Sequence, residues 1–350
     1  MNLGALLGRR RRQLVFLAVL VGILIAFRPS IPIWGGCTDN LNVCLNVVSI
    51  GLFQGMIVAL IAIGYTLVYG ILQLINFANG DVFMLGSVIT LIGVEVAGLT
   101  SDSSAGSILI VFALLLPFTM VVTALLNASI ERVIYRPLRR APTVATLIAA
   151  IGMSFILQNI GILLNGPSPV SLPSLLPKDN VIGQGGLFEF GALEIKTSHI
   201  FVVLVTLPLL IGLSWFVRST RQGKAMRATA QDRDAAGLMG IDVNRTISLT
   251  FLIAGALAGG AGLVVALYNG QAWWFYGTPF GLLAFTAAVF GGIGNLAGAT
   301  LGGIVLGILI SLNAYYIDTR WQDIIVFGIL VLVLVFRPTG LLAAKLSERA

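Results

Sequence analysis

Along this chain, hydrophobic positions gather into long unbroken runs separated by short polar stretches. Ten runs occur, at roughly 14–27, 46–75, 81–98, 107–128, 144–164, 200–217, 247–268, 280–292, 296–313 and 323–337. A helix crosses the hydrocarbon core of a bilayer with about 20 apolar residues, so the pattern predicts about ten transmembrane helices. The first run is short, and Leu3–Gly8 can extend its helix. None of the runs alternates over ~10-residue segments as the strands of a membrane barrel do. Only Gly291–Asn295 divides the eighth run from the ninth, so either both cross or one is re-entrant. The expected fold class is all-α, a polytopic membrane protein.

One interruption stands out. Gly64–Gly86 reads GYTLVYGILQLINFANGDVFMLG. An apolar run arrives at Ile75, stops at Asn76-Phe77-Ala78-Asn79-Gly80-Asp81, and resumes at Val82. Too few residues lie between the two runs for a folded loop. Helix ends inside a bundle leave N–H and C=O groups that need water, an amide or a solute. Asn76, Asn79 and Gly80 are therefore candidates for a solute pathway. A second interruption, Gly291-Gly292-Ile293-Gly294-Asn295, adds Gly291, Gly292 and Asn295. The alternative, ordinary tight turns at the membrane surface, has equal weight on the sequence alone.

Composition narrows the class. Of 350 residues, 57% are hydrophobic and 10% charged, and the mean hydropathy is +0.99. Soluble domains carry about 25% charged residues, so this chain cannot cover a water-facing surface. The 41 glycines fit closely packed helices, because small residues let transmembrane backbones approach. Gly51 and Gly55, Gly255 and Gly259, Gly294, Gly298 and Gly302, and Gly303 and Gly307 all recur four apart. With both termini on one side, Arg28, Lys178, Lys196 and Arg320 fall on the opposite side, and the other 17 of the 21 basic residues stay with the termini. That asymmetry predicts cytoplasmic N- and C-termini. It also accounts for the net charge of +7 without any nucleic-acid partner.

The connecting segments offer little chemistry. Arg9–Arg12 ahead of Leu14–Phe27 imitates a signal peptide but lacks a small-x-small cleavage site, so it reads as a retained span. Cys37 and Cys44, the only cysteines, could form a disulfide in an oxidising compartment or remain two inert thiols. With a single histidine they make no zinc site of the usual type, and no cofactor is expected. The outer segment 165–199 opens with four prolines. Its Leu187–Lys196 stretch alternates about Gly191 and predicts a weak hairpin. His199 reads as an interfacial residue and Glu95 as lying near a helix end. No Asp, Glu, Lys or His is evident at mid-span. Within the inner loop 218–246, Gly223–Gly240 is Ala-rich, predicting one helix irregular at Gly237 and capped at Gly240, with Met226, Ala230, Leu238 and Met239 as its apolar face. Gly223-Lys224 lacks the spacing of a phosphate loop, so this chain shows no nucleotide site. The ten spans divide five and five with opposite starting faces. That arrangement predicts two inverted five-helix repeats with broken helices near their interface.

Three blocks, in order, carry a family resemblance: GYTLVYG…INFANGD at 64–81, AMRATAQDRDAAGLMGID at 225–242 with FLIAGALAGGAG at 251–262, and AFTAAVFGGIGNLAGATLGGIVLGI at 284–308. Together they resemble permeases of the branched-chain amino-acid ABC importers, the LivH type, over about residues 50–340. The resemblance implies an inner-membrane permease working with a second related permease subunit, two cytoplasmic ATPase subunits and a periplasmic solute-binding protein that delivers an amino acid. Residues 46–340 would form the permease domain, 1–45 a basic segment with the first span and outer loop, and 341–350 a cytoplasmic tail. The inner loop would dock into the ATPase through Arg227, Asp232, Ala235, Ala236, Gly240 and Ile241, and 165–199 would face the binding protein. Family members often carry His at the position of Asn79 and Lys at that of Leu283. Those departures leave the solute open among branched-chain or other neutral amino acids, short amides and urea. An ion-coupled amino-acid carrier is a second class, tested by Glu95. An intramembrane enzyme would need a nucleophile and base or a metal set, which the composition does not provide.

Overall fold

The computed structural model describes residues 41–73, 76–101, 103–139, 141–176, 180–182, 194–337 and 340–342. The expected first span, the Arg9–Arg12 cluster, Cys37 (and with it the Cys37–Cys44 pairing) and the 343–350 tail lie outside the described residues. Among those described, nine helices are long and apolar enough to cross a membrane. They coincide with the second to tenth hydrophobic runs.

Helix α1 (Leu41–Leu72) is the longest, at 32 residues, or about 48 Å at 1.5 Å per residue. α2 (Ala78–Val96) follows the break. α3 (Ala105–Ile130) runs on through a π turn at Glu131–Tyr135 and a last turn at Arg136–Leu138. α4 (Thr143–Asn165) and α5 (Thr197–Ser219) complete the first part. Two short helices, α6 (Arg221–Gln231) and α7 (Arg233–Leu238), lead into α8 (Val243–Asn269). α9 (Gly277–Gly291), α10 (Leu296–Tyr316) and α11 (Gln322–Phe336) close the chain. A 3-10 turn at Trp274–Tyr276 lengthens α9 to membrane-spanning size. The eighth and ninth runs are therefore both spans by length.

α1, α2 and α8 are mostly buried and form the centre, whereas α3, α4, α5 and α11 turn most of their residues outward. Leu114, Phe118, Leu163, Leu204 and Trp215 lie on that outer surface. These helices are apolar on all sides, as expected where lipid replaces water. Glycine sets the distance between central helices. A Cβ on Gly55 would stand 2.7 Å from Ile304 Cα, and one on Gly303 2.6 Å from Ala59 Cα. α1 and α10 thus meet backbone to backbone, running antiparallel, with Ser311 Oγ donating to Val47 O at 2.7 Å.

The bundle has two distinct ends. One carries α6, α7 and the arginines Arg139, Arg227 and Arg233. The other carries Trp273, Trp274 and Tyr276 and two short strand pairs. There β1 (Val170–Ser171) pairs antiparallel with β4 (Gln271–Ala272), and β2 (Asn180–Ile182) with β3 (Ile195–Lys196). Both tryptophan Nε1 atoms donate to Pro167 O, at 3.3 and 2.7 Å, fixing the Pro-rich segment over the end of α8. The expected hairpin about Gly191 is replaced where it can be followed: Ile195 and Lys196 pair with residues 180–182, and 183–193 lie outside the described residues.

The polar side chains of His199 and Glu131 are buried, His199 against its expected interfacial place. His199 is 4% exposed and stacks on Phe53 at 4.4 Å between ring centroids, so it belongs to the helix packing. Glu131, flanked in sequence by Arg132, Arg136 and Arg139, is fully buried in the π turn. Arg139 forms an ion pair with it and Ser248 Oγ donates to its other oxygen at 2.6 Å. A buried carboxylate needs such partners.

Candidate functional site: the broken helix and the loop beneath it

α1 ends at Leu72, where Gln73 takes a positive φ of 55° and its N–H returns to Tyr69 O at 2.7 Å. The chain then doubles back. A Cβ on Gly64 would stand 3.4 Å from Asn79 Nδ2, and one on Gly80 would stand 3.3 Å from Tyr65 Oη and against Gly277 O. The first turn of α2 therefore lies beside residues 64–65 of α1, about 10 Å short of the end of α1 at 1.5 Å per residue. α2 begins inside the bundle, and Gly80 permits it because a side chain there would collide with the start of α9.

The amides at this break differ in their partners. Asn76 is 2% exposed and its Oδ1 accepts from Tyr135 Oη at 2.8 Å, while its Nδ2 has no hydrogen-bond partner. Asn79 is 0% exposed and neither its Oδ1 nor its Nδ2 has one. Unpaired buried amides are costly and uncommon. Asn76 also lines a small cleft with Tyr65, Tyr69, Phe285, Ala288 and Ile293, so the two interruptions of the sequence do meet at this cleft.

The second interruption is chiefly a turn. Gly291 and Gly298 press together too closely for a side chain, and Gly292 has φ 111°. Asn295 caps α10, its Oδ1 accepting from the N–H of Ala297 (3.1 Å) and Gly298 (3.3 Å), and its Nδ2 donates to Leu342 O at 2.9 Å. Unlike Asn79, it is committed on both sides of its amide.

Asp81 is the residue that sequence reasoning passed over. It reads there as the last residue of a polar break, but the structure buries it (1% exposed) in the first turn of α2. Ser154 Oγ donates to its Oδ2, and Gln158 Nε2 donates to its Oδ1 at 3.1 Å. Ser154 lies half-way along α4, so the expectation of no carboxylate at mid-span is overturned. The available signal was the spacing: the apolar run on both sides leaves no surface for Asp81 to reach. Glu95 is exposed near the end of α2, as expected.

Beneath the break lies the loop that carries the other candidates. It forms two helices, not one. Thr220 caps α6 by accepting from Gly223 N at 3.0 Å, and Asp232 stops it. The Asp232 Oδ1 accepts from the N–H of Asp234 (2.9 Å) and Ala235 (3.1 Å), starting α7. The break thus falls at Asp232 and not at Gly237. Gly240, at φ 81°, terminates α7, with Ile241 N returning to Ala236 O at 3.0 Å. Met226 and Ala236 are buried, whereas Leu238 and Met239 are 89% and 82% exposed, so the expected continuous apolar face is split. Arg227 holds Val217 O at the end of α5.

Arg233 joins the two regions. Its Nε and Nη2 donate to Ile71 O at 3.2 and 2.7 Å, satisfying a carbonyl that the end of α1 leaves open. Burial holds its guanidinium below the usual arginine value, and neighbouring Arg139 pushes the same way. A cavity of about 400 Å³ lies between the end of α1, the corner at Leu138–Thr146, and α6–α7; Arg139, Asp232, Arg233 and Asp234 line it.

Residues 47–334 match the family described as the branched-chain amino acid transport system / permease component. The chain belongs to this family. It is 41% identical over 300 residues to the high-affinity branched-chain amino acid transport system permease protein BraD of Pseudomonas aeruginosa, covering 85% of this chain and 95% of that one. To LivH of Escherichia coli K12 it is 40% identical over 299 residues, with the same coverage. A probable branched-chain amino acid transport permease, LivH of Methanocaldococcus jannaschii, is 27% identical over 290 residues, covering 82% of this chain and 87% of that protein. No solved structure matches. Members of the family are transport components of ABC systems and not enzymes, and ABC permeases work with ATPase and binding-protein partners.

Proposed function

We propose that this chain is a permease subunit of an ATP-driven importer for branched-chain amino acids, seated in the cell's inner membrane. The observation that carries the reading is the 40–41% identity over 95% of the length of two permeases with that named role. The architecture is consistent with it: a buried helix break at the centre, and directly beneath it a loop of two short helices that presents Leu238 and Met239 outward. The arginine-rich end would face the cytoplasm, by the excess of basic residues there, with both termini on that side. Two ATPase subunits would serve the permease pair, this chain meeting one of them through the loop that carries Arg227, Asp232, Ala235, Ala236, Gly240 and Ile241; a second permease subunit would pair in the membrane, and a periplasmic binding protein would approach the Trp273–Trp274 end.

In this reading ATPase closure moves α6–α7, and Arg233 carries the movement to the end of α1 and so to the break. Asn76, Asn79 and Gly80 then lie where a path could open, with the unpaired amide of Asn79 free to take water or solute. Gly291, Gly292 and Asn295 shape the turn beside it. The test is uptake of radiolabelled leucine, isoleucine and valine by the complete complex in proteoliposomes, with urea and short amides as competitors. ATP- and binding-protein-dependent uptake of the three amino acids is expected. Equal uptake with the ATPase subunits left out overturns the assignment, and preferential uptake of urea or an amide replaces the solute.

A further inference from the structure

Among the described residues, Asp81 is the one buried carboxylate at mid-depth that the architecture does not explain. Two structural duties could account for it, and neither fits. A carboxylate in the first turn of a helix ordinarily accepts from the N–H groups of that turn. Asp232, Asp242 and Asp318 do so here from N-cap positions, with Oδ1 accepting from a main-chain N–H two or three residues on, whereas Asp81 stands four residues after the N-cap Phe77. Asp81 accepts instead from Ser154 and Gln158, both on α4. Nor is it half of an ion pair: those among the described residues are Glu131–Arg139 and Asp318–Arg320. A carboxylate offers about four acceptor positions, and the α4 donors use two.

A chain of hydrogen bonds links the carboxylate to the surface. Gln158 Nε2 lies 3.1 Å from Asp81 Oδ1 and 3.2 Å from Thr278 Oγ1, and Thr278 is exposed. A polar line therefore leads from the outer surface between α4 and α9 to the carboxylate. Polar side chains are expensive against lipid tails, which favours water over lipid beside Thr278. Ile151, Ser154, Phe155 and Gln158 recur at helical spacing on one face of α4, and Ile151 and Phe155 are exposed. A negative charge with no cationic partner among the described residues matches a solute with an ammonium group.

We infer that Asp81 receives the ammonium group of the amino acid during passage, with Ser154 and Gln158 holding the carboxylate in place. The inference rests on the assignment as an amino-acid permease. It is tested in proteoliposomes holding the complete complex, with leucine supplied on its binding protein. In Asp81→Asn, leucine uptake falls about tenfold or more, the loss of one charge-assisted contact, while complex assembly stays at the wild-type level. Asp81→Glu restores most of the uptake. Uptake at the wild-type rate in Asp81→Asn overturns the inference, as does loss of assembly together with uptake. A second measurement leaves Asp81 in place: Thr278→Cys, in a background with Cys37 and Cys44 replaced by Ser, is modified with cationic and anionic methanethiosulfonates. Faster reaction with the cationic reagent, slowed by leucine during turnover, is expected. Equal rates, no reaction, or no effect of leucine overturns it. Failure of the wild-type complex to import any branched-chain amino acid refutes the permease assignment itself, whereas wild-type import matched by Asp81→Asn refutes the role of Asp81 alone.

Discussion

Removing the Arg233 side chain should loosen the inner loop from the membrane helices without unfolding them. Arg233→Ala deletes both contacts to Ile71 O, at 3.2 and 2.7 Å. The two share one acceptor, so they count as a single charge-assisted bond, worth about 1.5–3 kcal/mol net. Arg233 is only partly buried, and solvent competes for it, so the low end of that range applies. About 1.4 kcal/mol is a factor of ten in an equilibrium, so the undocked state of α6–α7 should become about tenfold more populated. Amide hydrogen exchange reads this directly: protection across 221–240 falls by about that factor, while protection in α8 and α10 is unchanged. Functionally, the purified complex should hydrolyse more ATP per leucine imported, because the stroke no longer reaches the end of α1. Arg233→Lys, keeping a cation but losing the planar fork, should fall between. Unchanged exchange across 221–240 with normal coupling in Arg233→Ala would show that the strut carries no load, and the path from loop to break would have to be sought elsewhere.

Three further outcomes are expected. Arg139→Ala leaves the buried Glu131 carboxylate with Ser248 as its remaining partner, which should lower stability by about 3–5 kcal/mol. Denaturant titration in detergent should show the loss and its partial recovery in Arg139→Ala with Glu131→Gln; additive effects would contradict the pairing. Gly303→Leu places a side chain 2.6 Å from the Ala59 backbone and should destabilise by at least about 1–3 kcal/mol, whereas Gly152→Leu, open on the outer face of α4, should be near neutral by the same titration. Replacing Leu238 and Met239 together with Ser removes exposed apolar area from the loop tip; co-purification with the ATPase subunits should fall while the yield of this chain in the membrane does not.

The helix pattern was legible because lipid and protein interior are both apolar, so a span announces itself by length alone. Nine runs correspond to nine helices for that reason. The glycine spacings likewise pointed to close helix contacts, and Gly55, Gly303 and Gly307 make them. What stayed hidden depends on partners distant in sequence. Asp81 looked like the edge of a loop because its donors, Ser154 and Gln158, lie on another helix. Glu131 carries no signal of burial in the sequence because Arg139 and Ser248 meet it only in the fold. The division of the inner loop at Asp232 was readable in principle: an Asp followed by a helix-prone run is an N-cap signal, masked by Ala-rich sequence on both sides. His199 lay at the end of a hydrophobic run, where an interfacial place is usual, and only the Phe53 ring shows otherwise.

The glycine seam between α1 and α10 has a consequence for biogenesis. Its two sides are far apart in the chain: the Ser311–Val47 bond alone joins residues 264 positions apart. At ~5–20 residues per second, α1 waits roughly 13–50 s after synthesis before its partner exists. During that interval a helix destined for the centre of the protein has only lipid or the insertion machinery against its smooth face. The bundle therefore closes late, from both ends of the chain inward. Truncation before α10 should leave α1 exposed to membrane quality control, even though every earlier helix is complete.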